Sequence, residues 1–315
     1  AATIVSGAAA ERMRFASYLL VTLIIAGFIY PLFGHWAWGG VFADGLGWLA
    51  ERGFVDFAGS TVVHGVGGWV ALAVILILGP RQGRFEQDRD GRSMPGSNLP
   101  LAMLGALMLM FGWFGFNGGS TLSFDGRVPG IIANTVLAAI AGTLGGMVMS
   151  WLRWRLVDPV YPLNGMIAGM VAVTAGAHVV DASAAFFIGL IGAVVMYLAD
   201  RLLLRFQIDD AVGAVPVHLA SGIWGTLADA LFADLGALGT GLTRSQQFIA
   251  QLEGVLVAGV WAFGLTWLLL RAVNRFWPMR VTPDDELAGL NVSEHGARTE
   301  LIELIEAMAA HQSDG

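Results

Sequence analysis

The sequence contains neither cysteine nor lysine, and it carries little charge of either sign. Without cysteine, disulfide bonds and thiol chemistry are excluded. Charged residues make up 13% of the chain, against about 25% in a typical soluble domain. Hydrophobic residues make up 56%, and the mean hydropathy is +0.68. This composition predicts an integral membrane protein, whose 43 glycines would let neighbouring membrane helices approach closely.

Long apolar segments run along most of the 315 residues. A helix needs about 20 apolar residues to cross a bilayer, and eight segments meet this requirement, which predicts an all-α fold. Residues 1–10 look like the end of a further helix. The predicted spans are 15–38, 56–80, 98–120, 128–152, 161–180, 184–206, 212–233 and 246–274.

The arginines define the expected orientation, because cytoplasmic loops carry an excess of positive charge. With the loop after residue 10 placed inside, three arginines fall outside, namely Arg52, Arg127 and Arg244. The other fourteen fall inside, namely Arg12, Arg14, Arg81, Arg84, Arg89, Arg92, Arg153, Arg155, Arg201, Arg205, Arg271, Arg275, Arg280 and Arg298. This bias supports the helix count and predicts a cytoplasmic C-terminus.

Two histidines lie inside apolar stretches with matching neighbours. His64 belongs to DFAGSTVVHGVGG at 56–68, and His218 belongs to DAVGAVPVHLASG at 210–222. Both segments read D-x7-H-x3-G, with valine before the histidine. An ionisable side chain in a membrane helix is costly and marks a functional site by default. A single histidine of this kind is most often a packing residue, but the matched context of the two favours function.

The two histidine helices are five spans apart and so run in opposite directions, as an inverted repeat predicts. The spans from 98 to 233 would form the second half. The first half, ending at residue 80, shows two spans and the remnant at 1–10, and the chain starts inside an apolar segment. We therefore expect about two and a half helices of a parent protein to be absent. A signal peptide is a poor alternative, because no basic region comes first.

Several segments resemble the ammonium transporter (Amt/Mep/Rh) family. They are AERMRF at 10–15, DFAGSTVVH at 56–64, NLP at 98–100, FGWFGFNGGS at 111–120, the pair Asp209-Asp210 and GIWG at 222–225. The resemblance runs in order from residue 1 to about 296. It implies an inverted-repeat transporter fold with eleven helices in the parent, an outside N-terminus and a homotrimer. Residues 1–10 would be the end of the third helix.

The resemblance also implies roles for individual residues. His64 and His218 match the paired pore histidines that face each other in an apolar conduit. Asp56 matches an acidic residue near the outer mouth that supports ammonium capture. Asp56 could equally cap the helix that follows it, and both roles can hold. Capping is the preferred interpretation of Asp209-Asp210.

Four further residues match the family's outer site and pore lining. Trp38 and Ser120 match two residues of the outer cation site, although Trp38 could also be an aromatic of the membrane interface. Phe116 matches the inner member of a stacked phenylalanine gate, and Trp113 matches a pore-lining tryptophan. The outer gate phenylalanine would precede residue 1.

These roles predict transmembrane transport of ammonium or ammonia through an apolar pore. An aromatic wall attracts a cation by about 0.5–2 kcal/mol, and a serine hydroxyl can accept a hydrogen bond from it. A bare cation in hydrocarbon costs on the order of 20 kcal/mol. Ammonium avoids this cost by losing a proton and crossing as ammonia, while a neutral imidazole pair relays the proton.

The second histidine segment departs from the transporter pattern. After the two aspartates, transporters commonly show DVFGVHG, whereas this chain has Gly213-Ala-Val-Pro216-Val-His218-Leu219. The acidic residue and the phenylalanine are replaced. Proline removes a backbone donor, which predicts a break in the helix just before His218 and altered conduction.

The sequence divides into a membrane domain at 1–276 and a cytoplasmic tail at 277–315. Within the tail, apolar residues at 301, 302, 304, 305 and 308 predict an amphipathic helix at about 297–311. Such a helix resembles the linker of ammonium sensor-transducers, so the alternative function is ammonium sensing coupled to a fused output domain. A packing or oligomer helix is the other interpretation.

No nucleotide, metal or nucleophile motif stands out, so the chain is not predicted to be an enzyme, to need a cofactor or to bind nucleic acid. The expected partners are ammonium or ammonia, the lipid bilayer, two further copies of the chain, and either a cytoplasmic PII-type regulator or a fused output domain. The expected location is the bacterial inner membrane.

Overall fold

The computed structural model describes residues 1–41, 45–86 and 94–297, and this part of the chain is helical, without a β-strand. We number the helices in chain order. They are α1 (Ala2–Ala8), α2 (Phe15–Trp38), α3 (Trp48–Glu51), α4 (Ser60–Leu78), α5 (Leu99–Gly119), α6 (Val128–Trp154), α7 (Val160–Val173), α8 (Ala182–Arg205), α9 (215–232), α10 (Leu235–Leu238), α11 (Arg244–Phe276), α12 (Pro283–Ala288) and α13 (Leu290–Ser293).

Within the described ranges, six helices are long and apolar enough to cross a membrane, namely α2, α4, α5, α6, α8 and α11. The two other predicted spans are the helices α7 and α9. Every span predicted from hydropathy therefore contains a helix. The bounds agree within about four residues except for α7, which ends at Val173 although the prediction ran to residue 180. The prediction of an all-α membrane fold is confirmed.

Both histidines lie in π-helical turns at the first residues of their helices. His64 is in the turn Ser60–Gly65, which opens α4, and His218 is in the turn Val215–Ala220, which opens α9. A π-helical turn widens the helix by one residue and is frequent at functional sites. The sequence motif gave no signal for this local widening.

The motif's final glycine lets the two histidine helices cross at very short range. A methyl group built on Gly68 would lie 2.8 Å from the backbone nitrogen of Leu219, the residue after His218. A methyl group on Gly222 would collide with the Ser60 carbonyl oxygen and lie 3.5 Å from the Gly65 nitrogen. Each glycine therefore packs against the histidine turn of the other helix, as expected for antiparallel partners.

We expect Gly222→Ala to lower the free energy of unfolding by about 1–3 kcal/mol, because the added methyl overpacks a backbone contact. Denaturant titration in detergent measures the change. Gly112→Ala is the matched control, since a methyl there meets nothing within 4 Å. Equal stability in both variants would show that the crossing tolerates a side chain.

An aspartate caps each histidine helix in the same way. Asp56 Oδ1 accepts hydrogen bonds from the Gly59 and Ser60 amides at 3.1 and 2.8 Å. Asp56 Oδ2 accepts from the Thr61 and Val62 amides, both at 2.8 Å. The carboxylate thus binds four backbone N–H groups that a helix start leaves without an intrahelical partner.

Asp210 caps α9 by the same arrangement. It accepts hydrogen bonds from the amides of Gly213 at 3.0 Å and Val215 at 2.6 Å. Gly213 adopts a left-handed φ of +76° in this turn, a conformation that favours glycine. The predicted break before His218 is wrong, because Pro216 lies in the first turn of α9, where a missing backbone N–H leaves no hydrogen bond unmade.

Asp209 does not cap a helix, contrary to the sequence interpretation, and instead binds arginines. Its carboxylate accepts hydrogen bonds from Arg81 Nε at 2.8 Å and Arg84 Nε at 3.1 Å. The fully buried Arg12 donates to the Asp209 carbonyl at 2.6 Å. These contacts join the segment after α1 and the segment after α4 to the start of α9.

The segment after α11 packs back onto the segment between α1 and α2. The Arg14 amide donates to the Met279 carbonyl at 3.0 Å, and the Val281 amide donates to the Arg12 carbonyl at 3.1 Å. Arg280 donates to the Leu78 carbonyl at 2.9 Å. The amphipathic helix expected at about 297–311 lies outside the described residues apart from its first residue, so it stays a prediction, as does the division at residue 276.

We expect stability to fall in acid because of Asp209. Burial raises the pKa of this carboxyl, but hydrogen bonds from Arg81 and the charges of Arg12 and Arg81 outweigh burial and hold the pKa below its ordinary value. The stabilisation is therefore present at neutral pH and is lost as the pH falls below the ordinary aspartate range towards the folded-state value.

Asp209→Asn should lower the free energy of unfolding at neutral pH by about 3–5 kcal/mol and remove part of its acid dependence. Denaturant titrations at a series of pH values measure both effects. Asp125→Asn is the control, since Asp125 pairs with Arg127 on an exposed loop. An unchanged acid dependence in Asp209→Asn would contradict this account.

Candidate functional site

The two histidines predicted from the matched motifs meet at the crossing of α4 and α9. His64 Nδ1 and His218 Nδ1 are 3.1 Å apart, and their ring planes differ by 11°. At this distance one nitrogen donates and the other accepts, depending on the tautomer. His64 is 6% exposed, and its other nitrogen, Nε2, is buried without a hydrogen-bond partner. The two imidazoles are therefore in direct contact through their Nδ1 atoms, and Nε2 of His64 is left without a partner.

Two aromatic side chains of α5 complete the surroundings of His64. The Trp113 ring lies 5.0 Å from the His64 ring, with planes 10° apart, and the Phe116 ring lies 5.6 Å from it. The rings of Trp113 and Phe116 are 5.9 Å apart. These two rings form an apolar wall beside the His64 imidazole. Four of the seven predicted site residues therefore lie together, namely His64, His218, Trp113 and Phe116.

A buried hydrogen-bond chain holds the Trp113 ring in place. Trp113 Nε1 donates to Thr174 Oγ1 at 2.9 Å, and Thr174 Oγ1 lies 3.2 Å from Asn117 Oδ1. Asn117 Nδ2 donates to Thr135 Oγ1 at 3.0 Å. Asn117 stands in the motif at 111–120, but its role was not predicted, and Thr174 was missed because it lies outside every motif. The spacing of Thr174 and Thr135 in the sequence gives no signal that could have found them.

Asp56 and Trp38 form a second group. The Trp38 indole Nε1 donates to the Asp56 carbonyl oxygen at 2.6 Å. The Asp56 carboxylate is occupied by the four amides of the α4 cap, and the residue is 3% exposed. The backbone of Asp56 therefore orients Trp38, while its side chain fixes the turn that carries His64. The capping role of Asp56, one of its two interpretations, is what the geometry displays.

Ser120 lies at the C-terminal end of α5 and contacts Phe116. Its Oγ donates to the Phe116 carbonyl at 2.8 Å, and Phe116 is 38% exposed. In the described part of the chain, no hydrogen bond joins Ser120 to Trp38. The two residues assigned to the outer cation site are thus attached to different helices, α5 and α2.

The histidine pair offers ring nitrogens that can both donate and accept a proton. No group of three or more metal-ligating side chains occurs within residues 1–41, 45–86 and 94–297. The histidine pair has a hydrogen-bonding contact between its rings, apolar neighbours and no carboxylate bonded to either ring. Such a pair can accept a proton, pass it across 3.1 Å and release it.

Comparison with known proteins places this geometry in a family. The model of the Ammonium Transporter Family matches residues 1–300. The chain belongs to the ammonium transporter family. The family expected from the motifs is confirmed.

The relatives differ in how much of their length the chain covers. A Synechocystis protein is 50% identical over 98% of this chain, which spans 58% of that protein. The ammonium transporter Amt2 of Archaeoglobus fulgidus is 41% identical over 94% of this chain, which spans 67% of it. This chain therefore spans between about half and two thirds of these relatives.

Two solved structures share the fold. A sensor Amt protein superposes with a TM-score of 0.90 at 40% identity, covering 93% of this chain and 73% of that chain. Candida albicans Mep2 superposes with a TM-score of 0.80 at 30% identity, covering 90% of this chain and 64% of that chain. The predicted fold class, an ammonium transporter fold, is confirmed by both.

Proposed function

We propose that the protein conducts ammonium across the membrane as separate ammonia and proton, with His64 and His218 as the proton relay. The observation that carries the proposal is the 3.1 Å contact between the two Nδ1 atoms in an apolar surrounding. Burying a polar atom without a hydrogen bond is costly, and His64 Nε2 is such an atom. Packing alone would therefore favour an apolar side chain over histidine at this position. The unpartnered Nε2 of His64 supplies the open position that a relay needs.

Ammonium capture would take place on the predicted outer side. Trp38 and Phe116 offer aromatic faces to a cation, each worth about 0.5–2 kcal/mol, and the Ser120 hydroxyl offers an acceptor. Asp56 contributes a negative charge at the N-terminal end of α4, although its carboxylate oxygens already bind four backbone amides. Its contribution to capture would therefore be electrostatic and would not require direct contact.

Selectivity would follow from the cost of charge in the pore. Potassium and sodium cannot shed their charge, and a bare cation in an apolar medium costs on the order of 20 kcal/mol. Ammonium can give up a proton, and the remaining ammonia crosses as a small neutral molecule. Trp113 would keep the His64 ring aligned, since its indole is fixed by Thr174.

The test is the current that follows an ammonium jump in proteoliposomes containing the full-length protein. We expect a saturable current with ammonium and none with equal concentrations of potassium or sodium. Currents of the same size for all three cations would contradict the proposal. Protein-free liposomes correct for passive permeation of ammonia.

A second candidate function is ammonium sensing, in which binding produces a conformational signal to an output domain. The observation in its favour is the TM-score of 0.90 with a sensor Amt protein, against 0.80 with Mep2. Calorimetric ammonium binding without current would favour sensing, and current would favour transport. Both functions use the same site.

We further propose that the protein is a homotrimer in a bacterial inner membrane with a cytoplasmic C-terminus. Arginine distribution supports the orientation, and the family supports the trimer. A PII-type regulator or a fused output domain would meet the segment after α11. Cysteine labelling from either side, at positions introduced into this cysteine-free chain, tests the orientation.

A further inference from the structure

One face of α11 carries two glutamine side chains that are fully buried. Gln247 and Gln251 are both 0% exposed, and their spacing of four residues puts them on the same face of the helix. A glutamine amide has two donors and an acceptor, which the membrane interior cannot hydrate. Burying these groups is costly unless they form hydrogen bonds, so both side chains need partners within the protein.

Gln251 binds both backbone groups of Val55. Its Oε1 atom accepts a hydrogen bond from the Val55 amide at 2.9 Å, and its Nε2 atom donates to the Val55 carbonyl oxygen at 2.6 Å. The same Nε2 atom donates to the Thr226 carbonyl oxygen of α9 at 3.0 Å. One side chain therefore fixes the peptide groups on both sides of the Val55 Cα atom, and the second of these groups ends at the Asp56 nitrogen.

The same face of α11 holds the preceding part of this segment. The Gln247 Nε2 atom donates to the Gly53 carbonyl oxygen at 2.8 Å. The Phe54 ring packs so closely on Gly254 that a methyl group there would collide with it. The helix thus lies along the whole stretch of backbone that leads into Asp56.

Asp56 transmits this placement to Trp38. Its carbonyl oxygen accepts the hydrogen bond from the Trp38 indole at 2.6 Å. Its carboxylate binds four amides of α4, so the cap on the turn that carries His64 survives a small shift of the preceding backbone. The single hydrogen bond to the carbonyl oxygen has no such redundancy, and the Trp38 indole would move with it.

We infer that Gln251 is a positioning residue for ammonium capture, which sets the Trp38 indole through Val55 and Asp56. The inference rests on the ammonium conduction proposed above, in which Trp38 offers an aromatic face to the cation. Gln251 has no need to touch ammonium, and it makes no hydrogen bond to the histidine pair. Its loss should therefore weaken capture and spare the transfer of the proton.

Proteoliposome currents at increasing ammonium concentrations separate capture from conduction. Gln251→Met keeps a similar side-chain volume and removes the amide. We expect the ammonium concentration for half-maximal current to rise between about twofold and thirtyfold, the range that one cation–π contact is worth. The maximal current should stay close to that of the wild type, because a variant that loses only binding keeps its turnover. A lowered maximal current at an unchanged half-maximal concentration would overturn the inference.

Ser150→Ala is the matched control for the loss of a buried hydrogen bond. Ser150 is fully buried in α6, and its Oγ atom accepts from the Asp158 amide at 2.8 Å, in a segment that includes neither Trp38 nor Asp56. Denaturant titration gives the stability of both variants. The control should keep the wild-type half-maximal concentration. A rise as large as in Gln251→Met would show a general effect of lost stability and would overturn the positioning role.

Fluorine NMR of the full-length protein labelled with 5-fluorotryptophan reports on Trp38 without any current. The signal that is lost in Trp38→Phe assigns this residue. We expect the signal to shift in Gln251→Met and to stay unchanged in Ser150→Ala, since only the first variant releases the backbone that accepts from the indole. An unchanged Trp38 signal in Gln251→Met would overturn the inference.

If Gln251→Met does not yield a monodisperse protein, Gln251→Asn decides the matter. Its amide is one methylene group too short to hold both backbone groups of Val55, so the Trp38 signal should shift, and an unchanged signal overturns the inference. Absence of current in the wild-type protein would instead refute ammonium conduction, and the capture role with it. The fluorine signal would still report whether Gln251 positions Trp38, so the two failures are distinguishable.

Discussion

A double variant, His64→Leu with His218→Leu, should lose the ammonium-dependent current by about 10²-fold or more, the scale on which a positioned acid–base group acts. Leucine has a similar volume and is apolar, so the crossing of α4 and α9 should survive. It has no nitrogen to accept the proton, and the charged ammonium ion would face the full cost of entering an apolar pore. Solid-supported membrane currents after an ammonium jump measure the effect.

His35→Leu is the matched control, since His35 is exposed near the end of α2 and makes no contact with the pair. It should leave the current unchanged. Each single variant should also lose most of the current, because a proton cannot be passed along half of a pair. A double variant with wild-type current would refute the relay.

The second large effect is expected for Asp56→Asn, which should lower the free energy of unfolding by about 3 kcal/mol or more. The asparagine carbonyl can still accept from the amides that bind Oδ1. Its NH₂ group, however, would face the Thr61 and Val62 amides, so donors would oppose donors in a buried place. Loss of the negative charge should also weaken ammonium capture.

Denaturant titration in detergent gives the stability change, and the current gives the functional one. Asp181→Asn is the control, because Asp181 also caps a helix, α8, but is exposed and accepts a hydrogen bond from the Ala184 amide at 2.7 Å. Such a cap is worth about 1 kcal/mol. A loss in Asp56→Asn no larger than in Asp181→Asn would show that the four-amide cap is not special.

The sequence was sufficient for the helices and for the histidine pair, because both leave periodic or repeated signals. Hydropathy located every span within a few residues except the end of α7, and the shared motif placed His64 and His218 together. Pro216 was misread because its effect depends on where the helix begins, which hydropathy does not resolve. The interpretation of Asp209 was wrong because an aspartate that caps a helix and an aspartate that binds arginines cannot be told apart in the sequence.

Other parts of the site left no such signal. Thr174, the residue that follows α7, supports Trp113 of α5, and only the packing of α5 against α7 brings the two together. The π-helical turns are likewise invisible to a pattern that assumes a fixed helical period.

The reciprocal glycine contacts at Gly68 and Gly222 also limit how the protein can be switched on and off. Because each helix backbone rests on the histidine turn of the other, the spacing of the two imidazoles is a fixed length rather than an adjustable gap. Moving one ring away would require both backbones to separate at once. In the ammonium conduction proposed above, control of flow would then act away from this crossing, and the centre should keep the same dimensions whether or not ammonium passes.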